Sequence, residues 1–210
     1  MIVDSNGNKI SYNDRPGIIV PDHTPIVSQT SNNILDRLVA QHGRKEAMSI
    51  LAKASGYREV PPTIDEFLDD PEFLGPILID SRNGKSKLYP IWRDALREIY
   101  PNPFYSPKTQ IIITGAIGLG KSTFSLAGAL YDITRILHLE NPQEYFGLIK
   151  STQIVYALIN ATMGLAFSVL MAQIQDWIAS SPYLKRRHNE APKGHLFPNN
   201  IGIVSGSRAG

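Results

Sequence analysis

The chain has 210 residues, 42% of them hydrophobic and 19% charged, which excludes a disordered protein and permits a sizeable buried core. A net charge of +2 is too small to select nucleic acid or any other partner by itself. The absence of cysteine excludes a disulfide scaffold, a thiolate zinc site and a cysteine nucleophile.

Residues 1–30 are rich in Asn, Asp, Ser, Pro and Gly and are expected to form an extended arm, with no signal-peptide pattern at its start. A helical lead-in is expected over residues 31–100. Ser31 or Asn32 caps a first helix carrying Ile34, Leu35, Leu38 and Val39 on one face. Gly43 punctuates it, and a second helix with Ala47, Met48 and Leu51 runs to Gly56. After Pro61-Pro62, Thr63 caps a short acidic helix over residues 64–68. The run from Pro76 to Asp80 reads as a strand end or turn, and residues 81–86 as a polar turn. Pro90 then opens a helix with Ile91, Trp92, Ala95, Leu96 and Ile99, which Pro101 and Pro103 end.

From residue 101 the pattern changes. Gln110 to Thr114 is a short β-branched run of the kind buried in a parallel sheet, followed by a glycine-rich turn and a helix over residues 121–139. Residues 154–159 predict a second strand. A helix follows with Met163, Ala166, Phe167, Leu170, Ile174, Trp177 and Ile178, and residues 201–205 predict a third strand. This alternation predicts an α/β fold with a parallel sheet. No charge occurs between Lys150 and Asp176, but polar residues such as Gln153, Asn160 and Gln173 interrupt the stretch. A strand and a buried helix are therefore expected there, not a membrane span.

Gly115-Ala116-Ile117-Gly118-Leu119-Gly120-Lys121-Ser122 matches the Walker A pattern GxxxxGK[ST] in full, between an apolar run and a helix. Glycines allow the backbone to curl so that successive N–H groups converge on a phosphate, and the following helix presents its positive end to the same anion. The pattern therefore predicts binding of a nucleoside triphosphate, ATP with Mg2+. Lys121 is expected on the β- and γ-phosphates as the catalytic cation, Ser122 on the metal, and Thr123 beside them. Hydrolysis also needs an acid at the end of a later strand. The expected strands end in Asn160 and Ser205, so no catalytic carboxylate is evident.

Four stretches together resemble the N-terminal part of the large terminase subunit, the ATP-driven DNA-packaging motor of tailed bacteriophages. They are Pro62 to Leu68 with Phe73-Leu74-Gly75, Tyr89-Pro90-Ile91-Trp92 to Tyr100-Pro101, Ile113 to Thr123, and Ile154 to Leu184 with Gly206-Ser207-Arg208. The resemblance covers about residues 60–210, and only its phosphate loop is individually specific. It implies a P-loop NTPase domain of the additional-strand, conserved-glutamate type, with residues 101–210 as its N-terminal half. It also implies a viral genome-packaging hydrolase with a nuclease domain in the longer polypeptide. On that view the Walker B acids, coupling motif and nuclease acids lie beyond Gly210, and these 210 residues alone are not a competent ATPase. Double-stranded DNA, a portal protein, a small terminase subunit and a homo-oligomeric ring are the implied partners, and the infected host's cytoplasm the implied location. A small P-loop kinase and a non-catalytic nucleotide-binding module remain the alternatives.

Lys185, Arg186 and Arg187, with His188, Lys193 and His195 nearby, form the densest basic segment. It reads either as a DNA-backbone contact or as a solvated helix end. Arg208 reads as an arginine finger or as a plain surface residue. Phe104, Tyr105 and Gln110 read as an adenine contact or as packing at the base of the sheet. Trp92 and Trp177 read as core, and the five histidines show no metal-ligand spacing.

Overall fold

The computed structural model describes residues 30–108, 110–114, 118–160, 171–191 and 194–207. Residues 1–29 of the expected arm therefore lie outside the described residues, as do Gly115, Ala116, Ile117, Met163, Ala166, Phe167, Leu170, Lys193 and Arg208. Thr30 already belongs to the first helix, so Ser31 and Asn32 lie within that helix and do not cap it.

The chain is mixed α/β. Helices α1 (Thr30–His42) and α2 (Arg44–Ala54) meet at Gly43, whose φ of 78° turns the chain between them. Helix α3 (Ile64–Asp69) begins on a complete capping box. The Thr63 hydroxyl accepts from the Glu66 N–H, and the Glu66 carboxylate accepts from the Thr63 N–H at 2.7 Å. The run from Pro76 to Asp80 forms the single turn α4 (Gly75–Leu78) and then a bridge from Ile79 to Ser86. Helix α5 (Pro90–Ile99) starts with proline at its first position, where a missing N–H costs nothing.

Helix α6 (Lys121–Leu137) is the centre of the core. Nine of its residues are buried, including Leu126, Ala127, Leu130, Tyr131 and Ile133, so apolar groups occupy most of its circumference. Phe67, Leu68 and Leu74 pack on it from the α3 side, and Leu96 and Tyr100 from α5. The Tyr131 hydroxyl donates to the Pro62 carbonyl at 2.9 Å, which ties the Pro61-Pro62 break to the middle of α6. Arg93 links α5 to α3 by pairing with Asp65 and Asp69, and Arg97 adds a second pair with Asp65 at 2.9 Å. The hydrogen bond from Arg93 holds the Asp69 carboxyl below its usual range.

After α7 (Pro142–Tyr145) comes β1 (Ile154–Asn160), then α8 (Ala172–Ser180), α9 (Pro182–Lys185), β2 (Asn189–Ala191), β3 (Gly194–Phe197) and β4 (Ile201–Ser207). The four strands form one sheet in the order β1-β4-β3-β2. β1 and β4 run parallel, with Ile154 opposite Ile201, whereas β3 is antiparallel to β4 and β2 to β3. The sheet is thus mixed, where alternation of strands and helices led to a parallel one. The difference lies in β2 and β3, a hairpin of 3 and 4 residues too short for periodicity to reveal.

The second difference concerns residues 110–114, expected as a strand. They pair with no strand among the described residues, and Ile111 and Ile112 are 47% and 77% exposed. A β-branched run fits a pleated surface but becomes a strand only when a neighbour completes its ladder. Here β4 is the partner that β1 takes. Among the described residues, no helix is long and apolar enough to cross a membrane.

Candidate functional site

Gly118 and Gly120 adopt φ of 88° and 77°, the left-handed region that glycine enters without penalty. They carry the chain directly into α6, with Gly120 at the cap position and Lys121 as the first helical residue. The cap supplies no side-chain acceptor to the helix's first N–H groups. The positive end of the 17-residue helix therefore adjoins the described part of the glycine-rich segment. Lys121 is half-buried, Ser122 exposed and Thr123 half-buried at this end of the helix. Leu119 is exposed at the tip of the turn. The described part of the expected loop, from Gly118 to Thr123, is thus held together by consecutive residues.

Helix α5 supports the turn from below. The Trp92 Nε1–H donates to the Leu119 carbonyl, and the indole packs against Phe124 with ring centroids 5.0 Å apart. A β-carbon at Gly120 would lie 3.4 Å from both Trp92 Nε1 and Tyr89 Cδ2. Trp92 is half-buried and touches the turn itself, a position that the reading as plain core missed. The available signal was the Tyr89-Pro90-Ile91-Trp92 stretch, which puts two aromatic rings on either side of the start of α5. Trp177 is likewise half-buried and packs on the core.

Beside the turn lies a groove of about 420 Å³ lined by Trp92, Ala95, Ile99, Phe124 and residues 110–114. Lys108 and Glu98 also line it and pair with each other at 3.1 Å. Gln110 lines this groove, whereas Phe104 is buried edge-on against Tyr57, with centroids 5.3 Å apart. Phe104 is therefore a packing residue. It packs against Tyr57, just after α2, and the Asn102 side chain turns the chain there by accepting from the Phe104 and Tyr105 N–H groups.

The basic segment is divided among different tasks. Arg186 pairs with Glu72, and the Arg187 guanidinium stacks 3.9 Å above the Tyr183 ring. Lys185 is exposed. The Tyr183 ring in turn lies parallel to His138, centroids 5.3 Å apart. The His138 Nδ1 sits 2.7 Å from the Thr134 carbonyl, which can only accept, so Nδ1 carries the proton of the neutral ring. Burial is the main cause holding the His138 pKa below its ordinary value. His188 and His195 face each other at 5.6 Å.

A second polar group is buried behind the site. The Tyr100 hydroxyl donates to Asp132 at 2.9 Å, and Arg135 reaches both Asp132 and the Pro103 carbonyl, the latter at 2.8 Å. Burial pushes the Asp132 carboxyl up, against the pull of Arg135. This network locks the end of α5 to α6 and lies away from the glycine turn. Among the described residues, no cluster of three or more His, Asp or Glu is placed to hold a metal ion. The chain matches no protein-family model, no curated protein and no solved structure.

Proposed function

We propose that this chain binds a nucleoside triphosphate, ATP with Mg2+, at the turn 115–122 and the start of α6. The observation that carries the proposal is the delivery of Lys121 to an uncapped helix N-terminus by two glycines at positive φ, within a full GxxxxGKS sequence. The residues present fit the nucleotide's phosphates: backbone N–H groups and the Lys121 ammonium for the oxygens, and the exposed Ser122 hydroxyl for the metal. When bound, the nucleotide would supply the phosphoryl group, and the metal would neutralise its developing charge. This chain's own residues bind and orient it.

We further propose, on the resemblance alone, that the longer polypeptide is a DNA-packaging ATPase of the large terminase class with a P-loop fold. Double-stranded DNA, the portal and the small subunit would be its partners, and the host cytoplasm its place of work. Of Lys185, Arg186 and Arg187, Lys185 is the one assigned to a DNA phosphate, since Arg186 and Arg187 are engaged by Glu72 and Tyr183. A second reading, a nucleotide-binding module without catalysis, is favoured by one observation. β1 ends at Asn160 and β4 at Ser207, so neither strand ends in a carboxylate.

Isothermal titration of the chain with Mg2+ and ATP tests the first proposal. Lys121→Ala should weaken binding at least about tenfold, the loss of a charge-assisted phosphate contact. Equal affinity in the variant would refute it. Duplex DNA should stimulate ATP turnover by the longer polypeptide, and Lys121→Ala should abolish it. Turnover indifferent to DNA would remove the motor reading.

A further inference from the structure

We infer that Trp92 is a positioning residue of the phosphate loop, holding the Leu119–Gly120 peptide so that its N–H faces the bound phosphates. The inference rests on the nucleotide-binding reading above and adds to it a residue outside the motif, 27 positions before its hydrogen-bond partner.

The geometry of one peptide unit is decisive. The described residues contain no cis peptide, so the Leu119 carbonyl and the Gly120 N–H belong to one planar trans unit and point in opposite directions. The Trp92 Nε1–H captures that carbonyl on the α5 side. The Gly120 N–H is thereby aimed away from α5. The next peptide is set by the helix, because the Gly120 carbonyl accepts from the Phe124 N–H at 3.0 Å. Without the indole, the orientation of the peptide between Leu119 and Gly120 would rest on those two residues alone, and the Gly120 backbone is among the least restricted of all residues. Freezing a residue's backbone costs conformational entropy, so a donor that fixes it beforehand lowers the cost of ordering the loop on a ligand.

The indole can hold this position because it is itself held. Its ring packs on Phe124, one turn into α6, and its Nε1 edge and Tyr89 approach the face of Gly120 that lacks a side chain. Trp92 therefore touches the loop and the helix that follows it at the same time. Movement of α5 against α6 would reorient the Leu119–Gly120 peptide directly.

The test uses Mg2+ and ATP as the probe and exploits the chain's two tryptophans. Trp92→Phe keeps a ring against Phe124 while removing the N–H donor and part of the indole. Its affinity, measured well below the melting temperature of the ligand-free variant, should fall about three- to tenfold, the equivalent of one net hydrogen bond. Trp177→Phe leaves Trp92 as the single indole. Its emission should change on titration and saturate in step with calorimetric binding, a signature that a purely structural ring would not give. If Trp92→Phe binds as tightly as the unsubstituted chain, or if lone Trp92 emission is indifferent to saturating nucleotide, the inference fails while nucleotide binding stands. If the unsubstituted chain shows no binding, or Lys121→Ala binds equally well, the nucleotide reading itself fails and this inference with it. Should Trp92→Phe fold poorly, the Trp177→Phe titration decides alone.

Discussion

Replacing Gly120 with alanine separates the two demands that the glycine turn makes. At φ of 77° an alanine is strained by about 1–2 kcal/mol, because its Cβ crowds the following carbonyl. The new Cβ would also sit 3.4 Å from Trp92 Nε1 and from Tyr89 Cδ2. Tyr89 is 55% exposed and can swing away, but Trp92 is tied to the Leu119 carbonyl and to Phe124. A shift of a few tenths of an ångström there weakens a hydrogen bond worth at most about 0.5–1.5 kcal/mol net. The expected destabilisation is therefore about 1–3.5 kcal/mol. Gly118 supplies the control: its φ is 88°, but a Cβ there would meet nothing within 4 Å. Gly118→Ala should cost only the strain, about 1–2 kcal/mol. Urea unfolding followed by far-ultraviolet circular dichroism measures both, with an unchanged slope showing that stability alone has altered. Gly120→Ala as stable as the unsubstituted chain, or less damaging than Gly118→Ala, would refute the clamp between α5 and the turn.

Two further outcomes are expected. Tyr131→Phe removes a buried hydroxyl and leaves the Pro62 carbonyl without its 2.9 Å donor, so urea unfolding should show a loss of about 1–3 kcal/mol. His138 is held neutral in the fold with its pKa below 6.5, so the unfolded chain binds the extra proton first as pH falls. Its contribution to stability is complete above about pH 6.5 and declines as pH drops from there towards the lower folded value. Melting temperatures followed below that pH should fall less steeply in His138→Gln than in the unsubstituted chain, and equal slopes would refute the assignment.

Much of the helical framework is legible in the order of residues alone. Gly43, Thr63, Pro90 and the Pro101–Pro103 pair act through local backbone geometry, and each marks a boundary where it is found. The sheet is legible only in part. Ile154 to Asn160 and Ile201 to Ser207 carry enough apolar residues to be recognised, but β2 and β3 on the far side of β4 do not. Asn189 to Ala191 has almost no strand character of its own and pairs because β3 lies beside it. Gln110 to Thr114 shows the converse, with strong strand character and no ladder among the described residues. The basic run from Lys185 to Arg187 is equally ambiguous, since one-dimensional charge density cannot show that Glu72 and Tyr183 stand opposite two of its members.

The amino-acid sequence by itself determined the phosphate-loop pattern, the Thr63 cap and the lack of any thiol chemistry, because these depend on residue type and spacing within a few positions. Tertiary structure alone decided that β1 takes β4 as its parallel neighbour, that the sheet is mixed, and that Trp92 reaches across from α5 to the Leu119 carbonyl. Each of these joins residues far apart in the chain, where the deciding energy comes from burial and ladder pairing that no local window contains.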